Sequence, residues 1–408
     1  MQYGLSCHIM MERILFYLFC SFCFALPLSQ LVNSRLLFMI VVLSLLLLGQ
    51  KVSIKVLLNQ SWDLLLFFLI LTIGLIYSTD FKLGLRQLET SLSFIGVPVV
   101  VYGLGGFSKE RMNSAFYAFA LGALVAGLIC IINAAVSFTK TGDYQVFFYN
   151  QFTQPVDSHP TYFAYYLIFI ITFGLYFLYY DLPKQFFGSA VAALLFFFVL
   201  LLLTGGQTAF ISLLLTFAFF ISKYSLEEKT RRESLVVTLI ATMLVSMVVV
   251  TIFFRNNEQF FSTGSQNDYW ERMALWKSAI AANTSPLFGV GTGDYNLVLN
   301  EYYRGHQMNH FAEENFNSHN QLIQMYFSNG LVGLFSLLLV LGRPLYVSVT
   351  QRNLLGILLY FPFLMYGVNE VFLGRYQGVV FLALVHQILV SQHPDTSAAI
   401  EPLKVNKL

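Results

Sequence analysis

Charge is what this chain has least of. Only 11% of its 408 residues are Asp, Glu, Lys or Arg, against about 25% in an ordinary soluble domain. So few charges cannot cover a surface that faces water, and a soluble enzyme is excluded. The 23 basic and 21 acidic residues nearly cancel to a net +2, so there is no basic field for a nucleic acid and no strongly charged partner. Four cysteines are present, Cys7, Cys20, Cys23 and Cys130. Cys20-x-x-Cys23 has the spacing of a redox or zinc pair, but it sits inside the apolar stretch Ile14–Leu31 with no second pair, which reads as packed thiols. No G-x-x-x-x-G-K-[ST] phosphate loop occurs anywhere, so nothing points to a nucleotide. Nor is there an evident two-fold internal repeat.

What fills the chain instead is apolar. Hydrophobic residues make up 57%, aromatics 17%, Phe alone 42 positions, and the mean hydropathy is +0.67. Such a composition excludes a disordered chain. It predicts an all-α, polytopic transmembrane helix bundle in a lipid bilayer, forming a single integral membrane domain over 1–408. A crossing helix needs about 20 mostly apolar residues. That rule gives twelve candidate spans at 14–31, 35–49, 62–78, 88–105, 112–137, 160–180, 186–203, 207–222, 234–254, 319–341, 353–369 and 374–391. The first is read as a retained span, because no small-x-small cleavage site follows it; Met10 and Met11 leave the start codon open. Gly96 and Pro98 interrupt the fourth, as neighbouring helices permit.

Lysine and arginine orient the bundle. With the N-terminus inside, 14 of the 23 cations are cytoplasmic; of the nine outside, four lie in one long loop where the rule has little force. Both termini are therefore expected in the cytoplasm. The outer side then owns the two longest connections, 138–159 and a 64-residue loop at 255–318 between spans nine and ten. Loops of that length are usually functional or disordered. Within it, Trp270, Met273, Trp276, Lys277 and Ile280 have the spacing of a short amphipathic helix at the membrane surface.

The polar residues gather on that same outer side. His159 opens span six, and Gly205-Gly206-Gln207-Thr208 forms the turn before span eight. The long loop supplies Glu271, Arg272, Lys277 and the run Gly289-Val290-Gly291-Thr292-Gly293-Asp294, while Asn317-Ser318-His319-Asn320 opens span ten. Glu370 and Arg375 bracket the last outer turn, and Arg86 and Glu89 end span four. Plain readings compete with functional ones: arginines snorkel at helix ends, and a histidine at a span mouth often caps a helix. The glycine run follows no strand, so it reads as a turn beside Pro286 that folds the loop back onto the bundle. His306, His310, Glu313, Glu314 and His319 fall within fourteen residues, His306 and His310 at helical i, i+4 spacing. No H-E-x-x-H signature accompanies them, and the expectation is a solvated polar loop without metal.

Three stretches resemble the O-antigen ligase and O-antigen polymerase family of polytopic bacterial glycan transferases. One is Glu271-Arg272-Met273-Ala274-Leu275-Trp276 followed by Pro286-Leu287-Phe288-Gly289-Val290-Gly291-Thr292-Gly293. Another is Ser318-His319-Asn320-Gln321-Leu322 continuing through Ser328-Asn329-Gly330-Leu331-Val332-Gly333-Leu334, and the third is Leu203-Thr204-Gly205-Gly206-Gln207-Thr208-Ala209. The matched core spans about 155–341. The resemblance implies a donor glycan linked through diphosphate to a polyprenol, an acceptor hydroxyl on lipid A-core or on another glycan, and no cofactor. It implies His319 as the base that takes the acceptor proton, with Asn320 or Glu314 orienting it, and Arg272 as a bidentate diphosphate contact. Gln207 stands where the family often has an arginine; it can donate hydrogen bonds but carries no charge, and Arg86 is the candidate to compensate. His159 and Arg375 complete the substrate-binding candidates. Ligase and polymerase both fit, with a lean to ligase from the Arg–Trp and Ser-His-Asn stretches. A lipid-linked glycan transporter, which would favour broken helices such as Gly96-x-Pro98, and a non-enzymatic assembly subunit are the readings of other classes.

Overall fold

The structure, a computed structural model, describes residues 2–47, 54–106, 108–180, 182–205, 207–226, 230–256 and 268–391. Gly206, the loop residues 257–267 and the basic residues Lys51, Lys229, Lys404 and Lys407 lie outside them. Every regular element among the described residues is helical. In chain order these are α1 (Gln2–Ala25), α2 (Gln30–Leu47), α3 (Ile54–Ile76), α4 (Phe81–Ser91), α5 (Ser93–Gly103), α6 (Lys109–Thr141), α7 (Tyr149–Thr153), α8 (Pro160–Tyr180) and α9 (Phe187–Thr204). They continue as α10 (Gln207–Leu226), α11 (Arg231–Asn256), α12 (Asp268–Ala281), α13 (Tyr295–Gly305), α14 (Asn309–Glu313), α15 (Gln321–Thr350), α16 (Leu354–Asn369) and α17 (Tyr376–Val390). Five of them, α3, α6, α8, α9 and α15, are long and apolar enough to cross a bilayer; α2, α10, α11, α16 and α17 carry shorter apolar stretches. The protein is a polytopic helical membrane protein.

Segments 88–105 and 14–31 differ from the sequence reading, and 319–341 is broken at Gly330 within α15, which runs on to Thr350. Segment 88–105 is not one helix: α4 and α5 meet at Leu92. The Asp80 carboxylate caps α4 by accepting from Leu83 N–H at 2.9 Å, so the polar run containing Arg86, Gln87 and Glu89 winds into its own amphipathic helix. Pro98 sits inside α5, and the expected break at Gly96 and Pro98 falls at Leu92 instead. The first segment, 14–31, also overruns. α1 ends at Ala25, one residue before the pair Leu26-Pro27, as expected where a proline disfavours helical backbone in the residue before it.

The chain forms two compact units. The second, residues 24–30 and 118–266, is built around α8. This aromatic-rich helix buries 15 of its 21 residues, and Tyr166 meets Phe119 edge to face at 5.5 Å. The first unit comprises 1–23, 31–117 and 267–408. There α3 buries Leu64, Phe67, Leu71, Gly74 and Leu75, the i, i+3, i+4 stripe of a helix facing a neighbour.

The first unit also contains a closed ionic network. Asp63 on α3 is buried, and its carboxylate accepts from Arg343 Nη1 of α15 at 2.7 Å and meets His386 Nε2 of α17 at 2.7 Å. The Arg343 guanidinium also donates to the carbonyls of Gln60 (2.9 Å) and Asn59 (3.2 Å) and lies 5.5 Å over the Trp62 ring. Gln387 faces His386 Nδ1 at 3.4 Å and accepts from Ser61 Oγ at 3.3 Å. A charge in a membrane interior survives only when it is paired and its remaining hydrogen bonds are made, and this network pins three helices at one level. Asp63→Ala leaves the half-buried Arg343 without its counter-ion and the fully buried His386 without its partner, and is expected to cost about 3 kcal/mol. Thermal unfolding of the purified protein in detergent checks this; an unchanged midpoint would show that the network does not hold the helices.

Candidate functional site

The site is assembled where the long connection between α11 and α15 returns to the first unit. Its anchor is a break in α15. Gly330 has φ 64° and ψ −161° inside an otherwise helical run, which frees backbone groups on both sides. The segment 286–291 satisfies them reciprocally. Val290 N–H donates to Phe327 C=O (3.0 Å) and Gly291 N–H to Ser328 C=O (2.8 Å), while Leu331 and Val332 N–H donate to the carbonyls of Pro286 (2.9 Å) and Leu287 (3.2 Å). Irregular backbone inside a membrane bundle requires such pairing. The approach is backbone to backbone. A Cβ on Gly330 would stand 2.3 Å from Leu287 carbonyl atoms, and one on Gly289 2.5 Å from Ser328.

The rest of the glycine run is stitched to the C-terminal end of α3. Thr292 Oγ1 donates to Leu71 C=O (2.8 Å) and accepts from Asn329 Nδ2 (3.0 Å). The buried Asp294 carboxylate accepts from Thr79 N–H (2.8 Å), Thr79 Oγ1 (3.0 Å) and Asp80 N–H (2.7 Å). The run is thus a fixed backbone tie rather than a phosphate cradle. Around it, α12, α13 and α14 close over a small core of Leu275, Ala279, Ala282, Leu299, Tyr303, Ala312 and Phe327. Burial pushes the Tyr303 phenol up from its usual pKa, so it stays neutral. Trp270 and Ile280 on α12 remain exposed.

This framework brings Arg272 and His319 to one turn. Arg272 stands one helical turn before Leu275, which is buried in that core, and its Nη1 donates to Asn369 C=O at 3.1 Å. His319 immediately precedes the cap of α15. Its backbone is left-handed (φ 44°), its N–H donates to Asn317 Oδ1 at 2.9 Å, and its ring stands edge-on to Phe316. His319 Nδ1 lies 3.8 Å from Glu370 Oε1, with both side chains half-buried. Glu370 is the residue after Asn369, so arginine and histidine address consecutive residues at the end of α16.

Asn320 caps a helix instead. Its Oδ1 accepts from Leu322 N–H (2.9 Å) and Ile323 N–H (3.0 Å) at the N-terminus of α15, the usual role of Asn at that position. Gln321 accepts from Leu373 N–H (2.8 Å), and Gln87 Nε2 of α4 donates to Leu373 C=O (3.1 Å). The turn 371–375 is thereby tied to both helices. Arg86 and Arg375, both exposed, border this junction as chain neighbours of the tied residues. Beside it, Gln87, Gln321, Gln324, Thr292 and Asn329 line a cavity of about 30 Å³, large enough for a water molecule.

Other candidates fall elsewhere. Glu314 is exposed at the end of α14. His306 ends α13 and stacks on Tyr302 at 3.9 Å, whereas His310 belongs to α14, so their i, i+4 spacing does not put them on one helix face. Among the described residues no three His, Cys, Asp or Glu side chains converge as a metal-ligand group. His159 belongs to the second unit, where its carbonyl accepts from Tyr162 and Phe163 N–H and its Nδ1 from Thr161 N–H at 3.4 Å, the capping arrangement for α8. Gln207 is the first residue of α10; its side chain is outside the described ones. Glu370 is the partner that spacing could not reveal, since 51 positions separate it from His319.

Comparison with known proteins adds the following. Residues 192–338 match the family model described as O-Antigen ligase. That interval contains Arg272, the glycine run, His319 and the kink at Gly330; Arg86, Glu370 and Arg375 lie outside it. The chain is also 27% identical over 136 residues to an uncharacterized protein of Haemophilus influenzae. This alignment covers 31% of the chain and 33%, or one third, of that protein.

Two glycines of α15 test the anchor. Gly330→Ala meets immovable backbone and a left-handed φ, and is expected to cost about 2 kcal/mol or more. Gly342→Ala meets nothing within 4 Å and is expected to be neutral or slightly stabilising. Thermal midpoints of the two variants in detergent decide it; equal midpoints would mean the kink is not a close backbone contact.

Proposed function

On the premise that the chain is O-antigen ligase-like over residues 192–338, we propose that it is a membrane glycan transferase. It moves an oligo- or polysaccharide from a polyprenyl-diphosphate carrier to an acceptor hydroxyl on the outer face of the bacterial inner membrane. The acceptor in this reading is lipid A-core, which makes the protein a ligase. It crosses the membrane twelve times with both termini in the cytoplasm, and 255–318 is periplasmic. The observation that carries the reading is the meeting of Arg272 and His319 at the Asn369–Glu370 turn.

The chemistry needs two services there. The bond from the sugar's anomeric carbon to the diphosphate oxygen breaks, and the diphosphate leaves with the electron pair; a bond from the same carbon to the acceptor oxygen forms. A guanidinium stays ionised and pairs bidentately with phosphate oxygens, so Arg272 stabilises charge that grows on the leaving group. The neutral imidazole of His319 takes the acceptor proton as attack proceeds. Arg86 and Arg375 supply further positive charge at the junction. The activated donor already contains the driving energy, so the step needs no nucleotide or metal.

A strain lacking the gene, characterised by gel and blot of its surface glycolipid, tests the reading. It is expected to show lipid core without attached repeats and glycan retained on its polyprenol. Complementation with His319→Ala is expected to restore less than about 1% of transfer. Arg272→Lys keeps the charge but loses the fork, and is expected to lose about tenfold or more. A core bearing a single repeat would replace ligase by polymerase. An unchanged pattern, or full activity with His319→Ala at normal protein levels, would contradict the proposal.

A further inference from the structure

We infer that Glu370 is the positioning residue for His319: its carboxylate faces Nδ1, fixes the proton there, and leaves Nε2 as the basic nitrogen that meets the acceptor hydroxyl. This rests on the transferase reading and adds a residue that the family match, ending at 338, does not contain.

Both partners are held by backbone. His319 is pinned between the Asn317 side chain, which accepts its N–H at 2.9 Å, and Asn320, whose side chain is committed to capping α15. Phe316 stands edge-on to the ring at 5.8 Å. Glu370 is extended (φ −151°, ψ 149°) directly after α16, and its N–H donates to Tyr366 C=O at 2.8 Å. The carbonyl of the preceding residue receives Arg272 Nη1 at 3.1 Å. Arg272 therefore fixes the peptide from which Glu370 projects, and the two proposed reacting side chains are coupled through one turn.

The ring geometry supplies the rest. A neutral imidazole carries one N–H and one lone pair, and the hydrogen bond at one nitrogen sets the role of the other. Nδ1 points at the Glu370 carboxylate, 3.8 Å away, which favours Nδ1–H; Nε2 is on the opposite edge with the lone pair. When Nε2 takes the acceptor proton, the ring becomes a cation facing an anion, so the carboxylate lowers the barrier as well as orienting the base. The 3.8 Å separation is longer than a hydrogen bond; at that distance the carboxylate favours Nδ1–H electrostatically, and in this proposal the pair closes to hydrogen-bond distance with substrate bound, as catalytic contacts that are long in the free protein commonly do. The two partners suggested by sequence do not serve this role: the Asn320 oxygen is occupied by two backbone N–H groups, and Glu314 is exposed at the end of α14.

The test uses the full chain, purified and reconstituted with a polyprenyl-diphosphate-linked glycan and a glycolipid acceptor. Glu370→Gln keeps the shape and loses the charge. It is expected to lower kcat about 100-fold while KM for donor and acceptor stays within about twofold, and Glu370→Asp to recover part of the loss. A readout independent of turnover comes from solid-state ¹⁵N spectra of histidine-labelled protein, with the His319 signals assigned by their loss in His319→Gln. Wild type is expected to carry the proton on Nδ1, and Glu370→Gln to move it towards Nε2. An unchanged tautomer in the Gln variant, or an unchanged kcat beside an active wild type, overturns the role of Glu370. A tautomer that moves as expected in Glu370→Gln, beside a wild type that transfers nothing, overturns the transferase reading instead.

Discussion

The reciprocal backbone hydrogen bonds at the break in α15 are the constraint on which the rest of the site depends. A helix interrupted at Gly330 must have its freed carbonyls and N–H groups satisfied, because hydrocarbon offers no water to do so. The segment 286–291 does this from both sides, and only glycine at 289 and 330 lets the backbones come so close. Once that tie exists, the sequence on either side has little freedom. α12 is held against the α13–α14 core, which sets Arg272, and α15 begins at a fixed place, which sets His319. The two stretches that carry the family resemblance are therefore the two halves of one structural joint, and Arg272 and His319 are suspended from it.

Charge scarcity explains how the polar residues divide. α15 is 30 residues long, about 45 Å at the helical rise if it were straight. Towards one end it contributes Arg343 to a network with Asp63 and His386; His319 immediately precedes its other end. The Asp63 network is closed, with carboxylate, guanidinium and imidazole spent on one another inside the bundle. Such an arrangement fixes register between helices and has no valence left for a substrate. The His319–Glu370 pair is loose, half-exposed and beside a turn held by backbone bonds. A chain that carries so few ionisable groups spends one set on architecture and exposes another.

How much of this could be read in the sequence depended on the range of the interaction. Local patterns read well: the apolar run at 160–180 is α8 from Pro160 to Tyr180. Asn320, read as a partner of His319, caps α15 instead. The folding back of the glycine run beside Pro286 also followed from composition, because no strand precedes it. Break positions read less well. Gly96 and Pro98 suggested an interrupted span, yet the chain breaks at Leu92, because an aspartate cap at 80 starts an earlier amphipathic helix whose polar face ends there. His306 and His310 looked like one helix face until the turn between α13 and α14 separated them. The pairing of His319 with Glu370, and of Asp63 with residues 280 and 323 positions away, has no local signature. Only the packing of α3, α15, α16 and α17 brings those groups together.

The central claim is that this protein breaks a glycan–diphosphate bond and remakes it to an acceptor hydroxyl. Its most direct test is purified protein in proteoliposomes with polyprenyl-diphosphate-linked glycan and glycolipid acceptor, without nucleotide. Free polyprenyl diphosphate and glycosylated acceptor should appear in equal amounts. Donor that stays intact, whether idle or moved across the bilayer, would contradict the account.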